Sequence, residues 1–306
     1  MKLKHIISSK QFEKSFIRSI FEKADQIKSG RYNKNILAGR IMATLFYEPS
    51  TRTRFSFESA MQRLGGSVIS TENAYQFSSA AKGETIEDTI RIVSSYSDVI
   101  VLRHDTLGAS QVAASLSKVP VINAGDGNGE HPTQALLDLY TIFSKFKTPD
   151  FTVIMIGDLL NGRTIHSLSY LLSLYPKIKI IFVSPKALAI PKTLKSHLIA
   201  TKIDFTETED FDFALKKADV IYQTRIQKER FKTKNDYKKY FGRFIIDEST
   251  LQKIKPRSII MHPLPRINEI APSVDSDPRA LYFQQAANGV YIRMALLLYL
   301  LGPKNQ

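Results

Sequence analysis

Short apolar runs of strand length recur along the chain, separated by stretches whose apolar residues fall at helical spacing, and this alternation restricts the fold more than any other feature. The runs are Ile41–Phe46, Val99–Leu102, Val119–Asn123, Phe151–Ile156, Lys179–Val183, Val220–Tyr222 and Ile259–Met261. Strands that alternate with helices build parallel sheets, because a parallel neighbour needs a crossover long enough to hold a helix. The expected class is α/β, and a chain of 306 residues is long enough for two such domains. The polar stretch from Lys145 to Asp150 precedes a fresh strand and marks a boundary, with a helix around Gln134 to Phe143 bridging the halves. The strongly apolar helix from Asn288 to Leu301 is expected to pack back on the first domain, and there is no internal repeat.

The first run leads into "EPSTRTRFSFESAMQRLGG", where Glu48 and Pro49 make a turn and Phe55, Ala60, Met61 and Leu64 form an apolar face closed by Gly65 and Gly66. Ser50 to Arg54 therefore opens a helix. The first N–H groups of a helix lack intrahelical partners, and the dipole places about half a positive charge there, so anions are favoured. Three hydroxyls and the guanidiniums of Arg52 and Arg54 add donors, and guanidinium matches the paired oxygens of a phosphate. The bland alternative is that Ser50 or Thr51 caps the helix while both arginines point into water. So dense a donor set favours a phosphate cradle.

The charge balance fits that reading. Forty-three Lys and Arg against 29 Asp and Glu give +14 and a pI near 9.7, which suits anionic partners. The basic residues are spread among acids, and no nucleic-acid signature is present, so small anions are the expected partners rather than nucleic acid. With no cysteine in the sequence, disulfides, zinc–thiolate sites and iron–sulfur clusters are excluded. The longest apolar run, Met294 to Leu301, is far below the ~20 residues a membrane span needs, and the start has no apolar stretch of signal-peptide length. No membrane association and a cytoplasmic location are expected.

Other segments are less decisive. Thr71 to Thr85 lacks apolar periodicity and reads as a long mobile loop carrying Lys82, which is a lid or a plain solvated loop. "GDLLNGRT", Gly157 to Thr164, has P-loop spacing, and "FIIDE", Phe244 to Glu248, resembles an acidic magnesium-holding strand, so a nucleotide-binding or hydrolysing protein is the rival reading. Against it, Arg163 replaces the P-loop lysine, and two leucines occupy the nest. "GDGNGEHPTQ" runs a glycine-rich turn into a helix start, placing His131, Thr133 and Gln134 at its mouth, with glycines that allow close backbone approach. "MHPLPR" ends a strand in an extended loop fixed by two prolines, which could offer carbonyl acceptors. "TRIQKER" begins a Lys-rich segment that usually would be a solvated face, yet Arg225 sits at the carboxyl end of a strand, where open α/β sheets place ligands.

"STRTR", "HPTQ", "GDLLNGRTIHSL", "TRIQKER" and "HPLPR", in this order and over nearly the whole chain, resemble the aspartate/ornithine transcarbamoylase family. The first motif is general to that family, whereas "HPLPR" and "TRIQKER" resemble its aspartate-specific members; the cysteine and the Ser-Met-Gly segment of ornithine-specific members are absent. Ala81, beside Lys82, departs from members that carry a second lysine there. The resemblance implies two doubly wound parallel-sheet domains linked by helices: residues 1–132 plus 288–306 for carbamoyl phosphate, and 133–287 for aspartate. It implies that Ser50, Thr51, Arg52 and Thr53 hold the phosphate, joined by Ser78 and Lys82, and that Thr53, Arg103, His131 and Gln134 contact the carbamoyl group. Pro263 and Leu264 would offer carbonyls to substrate nitrogen, and Arg163, Arg225 and Gln227, with Lys82, would bind aspartate. The implied catalytic set is Arg52, Thr53, Lys82, Arg103 and His131, needing no metal or other cofactor. The implied assembly is a homotrimer in which Lys82 completes a neighbour's site, an arrangement compatible with added regulatory chains.

Overall fold

The structure is a computed structural model that describes residues 3–227 and 233–303. It divides into two compact units, Met1–Leu137 with Ala287–Gln306, and Asp138–Ala286. The first holds α1 (Lys14–Lys28), β1 (Ile41–Phe46), α2 (Thr51–Arg63), β2 (Ser67–Glu72), α3 (Ala74–Phe77), α4 (Ile86–Tyr96), β3 (Val99–His104), α5 (Ala109–Leu116), β4 (Val121–Asp126) and the start of α6 (Pro132–Lys145). The second holds the rest of α6, then β5 (Thr152–Ile156), α7 (Arg163–Leu172), β6 (Lys179–Val183), α8 (Lys192–Ala200), β7 (Asp204–Thr208), α9 (Phe211–Lys217) and β8 (Val220–Gln223). It continues through α10 (Lys234–Lys238), α11 (Glu248–Leu251) and β9 (Ile259–Met261) into α12 (Tyr282–Leu301), which returns the chain to the first unit. The division thus falls inside α6 and α12, a few residues beyond the start of α6 and before Asn288.

Both sheets are parallel throughout, in the orders β2-β1-β3-β4 and β7-β6-β5-β8-β9. Each is doubly wound: the strand order reverses beside the unit's first strand, between β1 and β3 in one unit and between β5 and β8 in the other. Such switch points open a crevice at the carboxyl ends of the strands. Ala43, Leu45, Ile100, Leu102 and Val121 anchor the first core, and Ile154, Ile156, Val183, Ile221 and Ile260 the second.

Several expectations need correction. β2 and β7 carry no apolar run, because both are edge strands with mostly exposed or half-buried residues. On α2 and its C-cap, Ala60, Met61 and Leu64 are buried as expected, but the phenylalanine that joins them is Phe57, fully buried, whereas Phe55 is 54% exposed. Thr71 to Thr85 is not loop throughout: it contains the end of β2, α3 and a short 3-10 turn at Ser79–Lys82. The strand expected at Phe244 to Glu248 is reduced to a single bridge, Ile246 with Ile270, and Asp247 caps α11. α12 starts at Tyr282 rather than Asn288. The loop after β9 is not extended, since Leu264 has φ of 54°. Among the described residues no helix is long and apolar enough to cross a membrane.

Candidate active site

The first unit's switch point is where β1 and β3 end side by side, Phe46 opposite Arg103. Tyr47 N–H donates to the Arg103 carbonyl at 2.9 Å, and the chain then turns into α2. Ser50 stands at the N-cap of α2 but makes no side-chain capping bond, so the capping alternative fails. Among the described residues, the hydroxyls of Ser50, Thr51 and Thr53 and the guanidinium of Arg52 make no hydrogen bond or ion pair. Burial lowers the Arg52 pKa, which leaves so basic a group charged. A helix start with open N–H groups, three uncommitted hydroxyls and one guanidinium is built for an anion. Arg54 is not part of it. Its guanidinium pairs with Glu72 at 2.8 Å and Glu58 at 3.7 Å and donates to Ser70, tying α2 to β2.

Arg103, at the end of β3, is held from behind by Glu48 at 2.9 Å and donates to the Ala124 carbonyl at 3.2 Å. Glu48 was legible only as a turn residue. His131 immediately precedes α6, and its carbonyl accepts the N–H groups of Gln134 and Ala135 at 3.0 and 3.1 Å. Both His131 and Gln134 are buried. The glycines before them do allow a close approach, but to the protein itself: a Cβ on Gly127 would meet the Asp105 carbonyl at 2.8 Å and one on Gly129 would meet Leu107 at 2.4 Å. Ser78 caps the 3-10 turn by accepting the Ala80 N–H at 3.1 Å. Lys82 ends that turn, exposed and without a partner among the described residues. Tyr75, on α3, fastens this segment to the end of β3 through Asp105 at 2.9 Å and His104 at 3.3 Å.

The second unit repeats the plan. β5 and β8 end at Ile156 and Gln223, and the chain after each strand carries Arg163 or Arg225 and Gln227. Arg163 is the first residue of α7 and is half-buried, as are Arg225 and Gln227. Asp158, fully buried, accepts the backbone N–H of Asn161 at 3.0 Å and its side-chain amide at 3.1 Å. Burial pushes the Asp158 carboxyl up, against these donors and the Gln227 N–H. This carboxylate fills the turn that the rival reading needs as a phosphate nest, and the Leu159 N–H is also spent, on the Leu188 carbonyl. Pro263 and Leu264 follow β9 and are half-buried; neither carbonyl accepts a hydrogen bond from the described residues. Lys228, Glu229 and Arg230 of "TRIQKER" lie outside the described residues. Among the described residues no three His, Asp or Glu side chains converge as metal ligands.

Two doubly wound units, one with a basic helix start at its switch point and the other with an arginine after each of the two strands that flank the matching point, have the architecture of an enzyme that works on two small anionic substrates. Comparisons give this class a family. The model for the aspartate/ornithine carbamoyltransferase carbamoyl-P binding domain matches residues 4–144, and that for the Asp/Orn binding domain matches residues 149–300. The chloroplastic aspartate carbamoyltransferase of Arabidopsis thaliana is 53% identical over 98% of this chain and 78% of its own. The catalytic subunit of M. jannaschii aspartate transcarbamoylase superposes with a TM-score of 0.88 at 47% identity, covering 97% of this chain and 98% of the other. Trypanosoma cruzi aspartate transcarbamoylase, in complex with carbamoyl phosphate and aspartate, gives a TM-score of 0.91 at 42% identity, covering 98% and 97%. The chain belongs to the aspartate/ornithine carbamoyltransferase family.

Proposed function

We propose that this chain transfers the carbamoyl group of carbamoyl phosphate to the amine of L-aspartate, giving N-carbamoyl-L-aspartate and phosphate, as in pyrimidine biosynthesis. The observation that carries the reading is the uncapped start of α2, where the side chains of Ser50, Thr51, Arg52 and Thr53 are all uncommitted among the described residues. Ser50 to Thr53, with Ser78 and Lys82, hold the phosphate. Thr53, Arg103, His131 and Gln134 meet the carbamoyl group, and Pro263 and Leu264 accept from its nitrogen. Arg163, Arg225 and Gln227, with Lys82, hold the aspartate carboxylates. Ornithine carries one carboxylate and a side-chain ammonium, which paired arginines disfavour.

The aspartate amine attacks the carbamoyl carbon, a C–N bond forms, and a tetrahedral oxyanion collapses by breaking the C–O bond to phosphate. The amine's proton passes to the departing phosphate, whose newly released oxygen carries a third negative charge, so the product leaves as the hydrogen phosphate dianion. Thr53, Arg103 and His131 supply hydrogen bonds where the oxyanion develops, and fixing both anions supplies proximity. His131 acts as a donor rather than a base. Lys82 serves a neighbouring chain of a homotrimer; its exposure supports this, as do the large exposed apolar side chains Phe77 and Leu107 of the same unit.

The test is formation of carbamoyl aspartate from labelled carbamoyl phosphate with EDTA present, with ornithine as the control acceptor. Magnesium-dependent ATP hydrolysis without carbamoyl transfer would overturn the reading.

A further inference from the structure

His262, at the carboxyl end of β9, is 2% exposed, and the substrate contacts above give it no role. Its ring nitrogens have different partners. Nδ1 accepts the Leu264 N–H at 2.8 Å, and Nε2 lies 2.8 Å from Glu269 Oε1. An N–H facing Nδ1 requires a lone pair there, so the neutral ring carries its proton on Nε2 and donates it to the carboxylate. Burial lowers the His262 pKa against the pull of Glu269, and the positive charges of Arg266 and Arg225 add to the lowering. Glu269 is fixed in turn, because its Oε2 accepts the N–H groups of Ile267 and Asn268, each at 3.2 Å. The His262 N–H donates to Gln285 Oε1 at 2.9 Å, and Gln285 donates to buried Asp138 at 2.6 Å.

The Leu264 N–H belongs to the same planar peptide unit as the Pro263 carbonyl, and in this trans unit the two point in opposite directions. Holding the N–H on His262 therefore aims the Pro263 oxygen away from the imidazole. Neither Pro263 nor Pro265 has an N–H, so Leu264 supplies the only donor of the stretch and His262 consumes it. What remains is a strip of acceptors.

We propose that His262, oriented by Glu269, is a positioning residue that aims the Pro263 carbonyl at the NH2 of the carbamoyl group and so sets the preference for carbamoyl over other acyl phosphates. This rests on the placement of Pro263 and Leu264 against the carbamoyl nitrogen given above. Acetyl phosphate is the discriminating probe, since a methyl group replaces the NH2 and cannot donate to a carbonyl.

In His262→Asn the amide oxygen stands near the place of Nδ1 and still accepts the Leu264 N–H. In His262→Gln the amide reaches Glu269 but leaves that N–H unmet. The affinity ratio of carbamoyl phosphate to acetyl phosphate is expected to fall about tenfold in His262→Gln, the scale of one lost hydrogen bond, and to stay within about threefold in His262→Asn. The kcat falls with the ratio in His262→Gln, while the KM for aspartate stays within about twofold. If His262→Gln does not fold, Glu269→Gln is read instead. Its oxygen stays with the two backbone N–H groups and its NH2 faces Nε2, forcing the ring proton onto Nδ1 against the Leu264 N–H, so the same loss is expected. Equal weakening of both acyl phosphates, or an unchanged ratio in whichever of the two variants is read, would overturn the proposal. A wild-type enzyme with no preference for carbamoyl phosphate would instead overturn the placement of the carbonyls, and that is measured before any variant.

Discussion

Gly157 and Thr224 meet where β5 and β8 end, and a Cβ on Gly157 would lie 2.3 Å from the Thr224 carbonyl oxygen and 2.7 Å from its hydroxyl. Thr224 is pinned there, since both its N–H and its hydroxyl donate to the Ile156 carbonyl at 2.8 Å. Gly157 also has φ of +119°. The loop that carries Arg225 and Gln227 thus takes its course from a contact only glycine permits.

Gly157→Ala is therefore expected to lower the melting temperature, combining backbone strain of roughly 1–3 kcal/mol with displacement of a fixed carbonyl. Because the displaced strand end leads to Arg225, the KM for aspartate should rise while that for carbamoyl phosphate changes little. Thermal unfolding and steady-state kinetics on the variant check both parts; wild-type stability would contradict the contact.

Arg52→Ala and Arg54→Ala separate two arginines that the sequence places side by side. Arg52 is uncommitted among the described residues, so its loss should leave stability nearly unchanged and lower kcat strongly, since charge gathers on the departing phosphate. Arg54 is spent on Glu58 and Glu72, so its loss should weaken folding by up to about 1 kcal/mol and affect kcat far less. Melting curves and turnover numbers read together decide the matter.

This pair also marks the limit of the sequence. Local pattern places both arginines at a helix start, but which one is spent on an ion pair depends on β2, an edge strand without an apolar run. The same holds for Phe55 and Phe57: helical spacing cannot choose between neighbours until the packing direction is known. The buried strands β1, β6 and β9 were legible to the residue because they are apolar on both faces. The polar groups behind the site were not. Glu48 reads as a turn residue, while nothing local marks Asp158 or Glu269, and only the fold shows that the three hold Arg103, the Asn161 turn and His262.

Buried His104 and His262 both have pKa values lowered from 6.5, in each case chiefly by burial. Between the lowered values and about 6.5 the unfolded chain binds protons that the native chain does not, so stability rises with pH in that window and is lost as pH falls through it. Each group contributes a slope of at most about 1.4 kcal/mol per pH unit. Asp158, with its raised pKa, works in the opposite sense from 3.8 upward. The urea midpoint is expected to be lower at pH 5 than at pH 7, and the slope to be flatter in His262→Asn. An unchanged slope in that variant would show that His262 titrates alike in both states.

Arg225→Ala tests the second substrate. A lost charge-assisted pair is worth roughly 1.5–3 kcal/mol, so the half-saturation concentration for aspartate should rise about ten- to a hundredfold. Carbamoyl phosphate binding should be spared. If the reverse is measured by kinetics or calorimetry, the two substrates have been assigned to the wrong units.

Lys82 carries the last prediction. Tyr75 fastens its segment to Asp105 and His104 of its own chain, yet Lys82, a few residues on, is exposed and uncommitted among the described residues. In the proposed closed ring of three chains the contact would be head-to-tail, so each chain would lend one lysine and receive another. Arg52→Ala and Lys82→Ala chains should each be nearly inactive alone. Unfolded together and refolded, any mixed ring holds one junction where an intact Arg52 meets an intact Lys82, so about a third of its sites should recover. Native mass measurement establishes that the rings are mixed, and activity per ring is then compared with wild type. Mixed rings that stay inactive would mean that Lys82 serves its own chain's site or none.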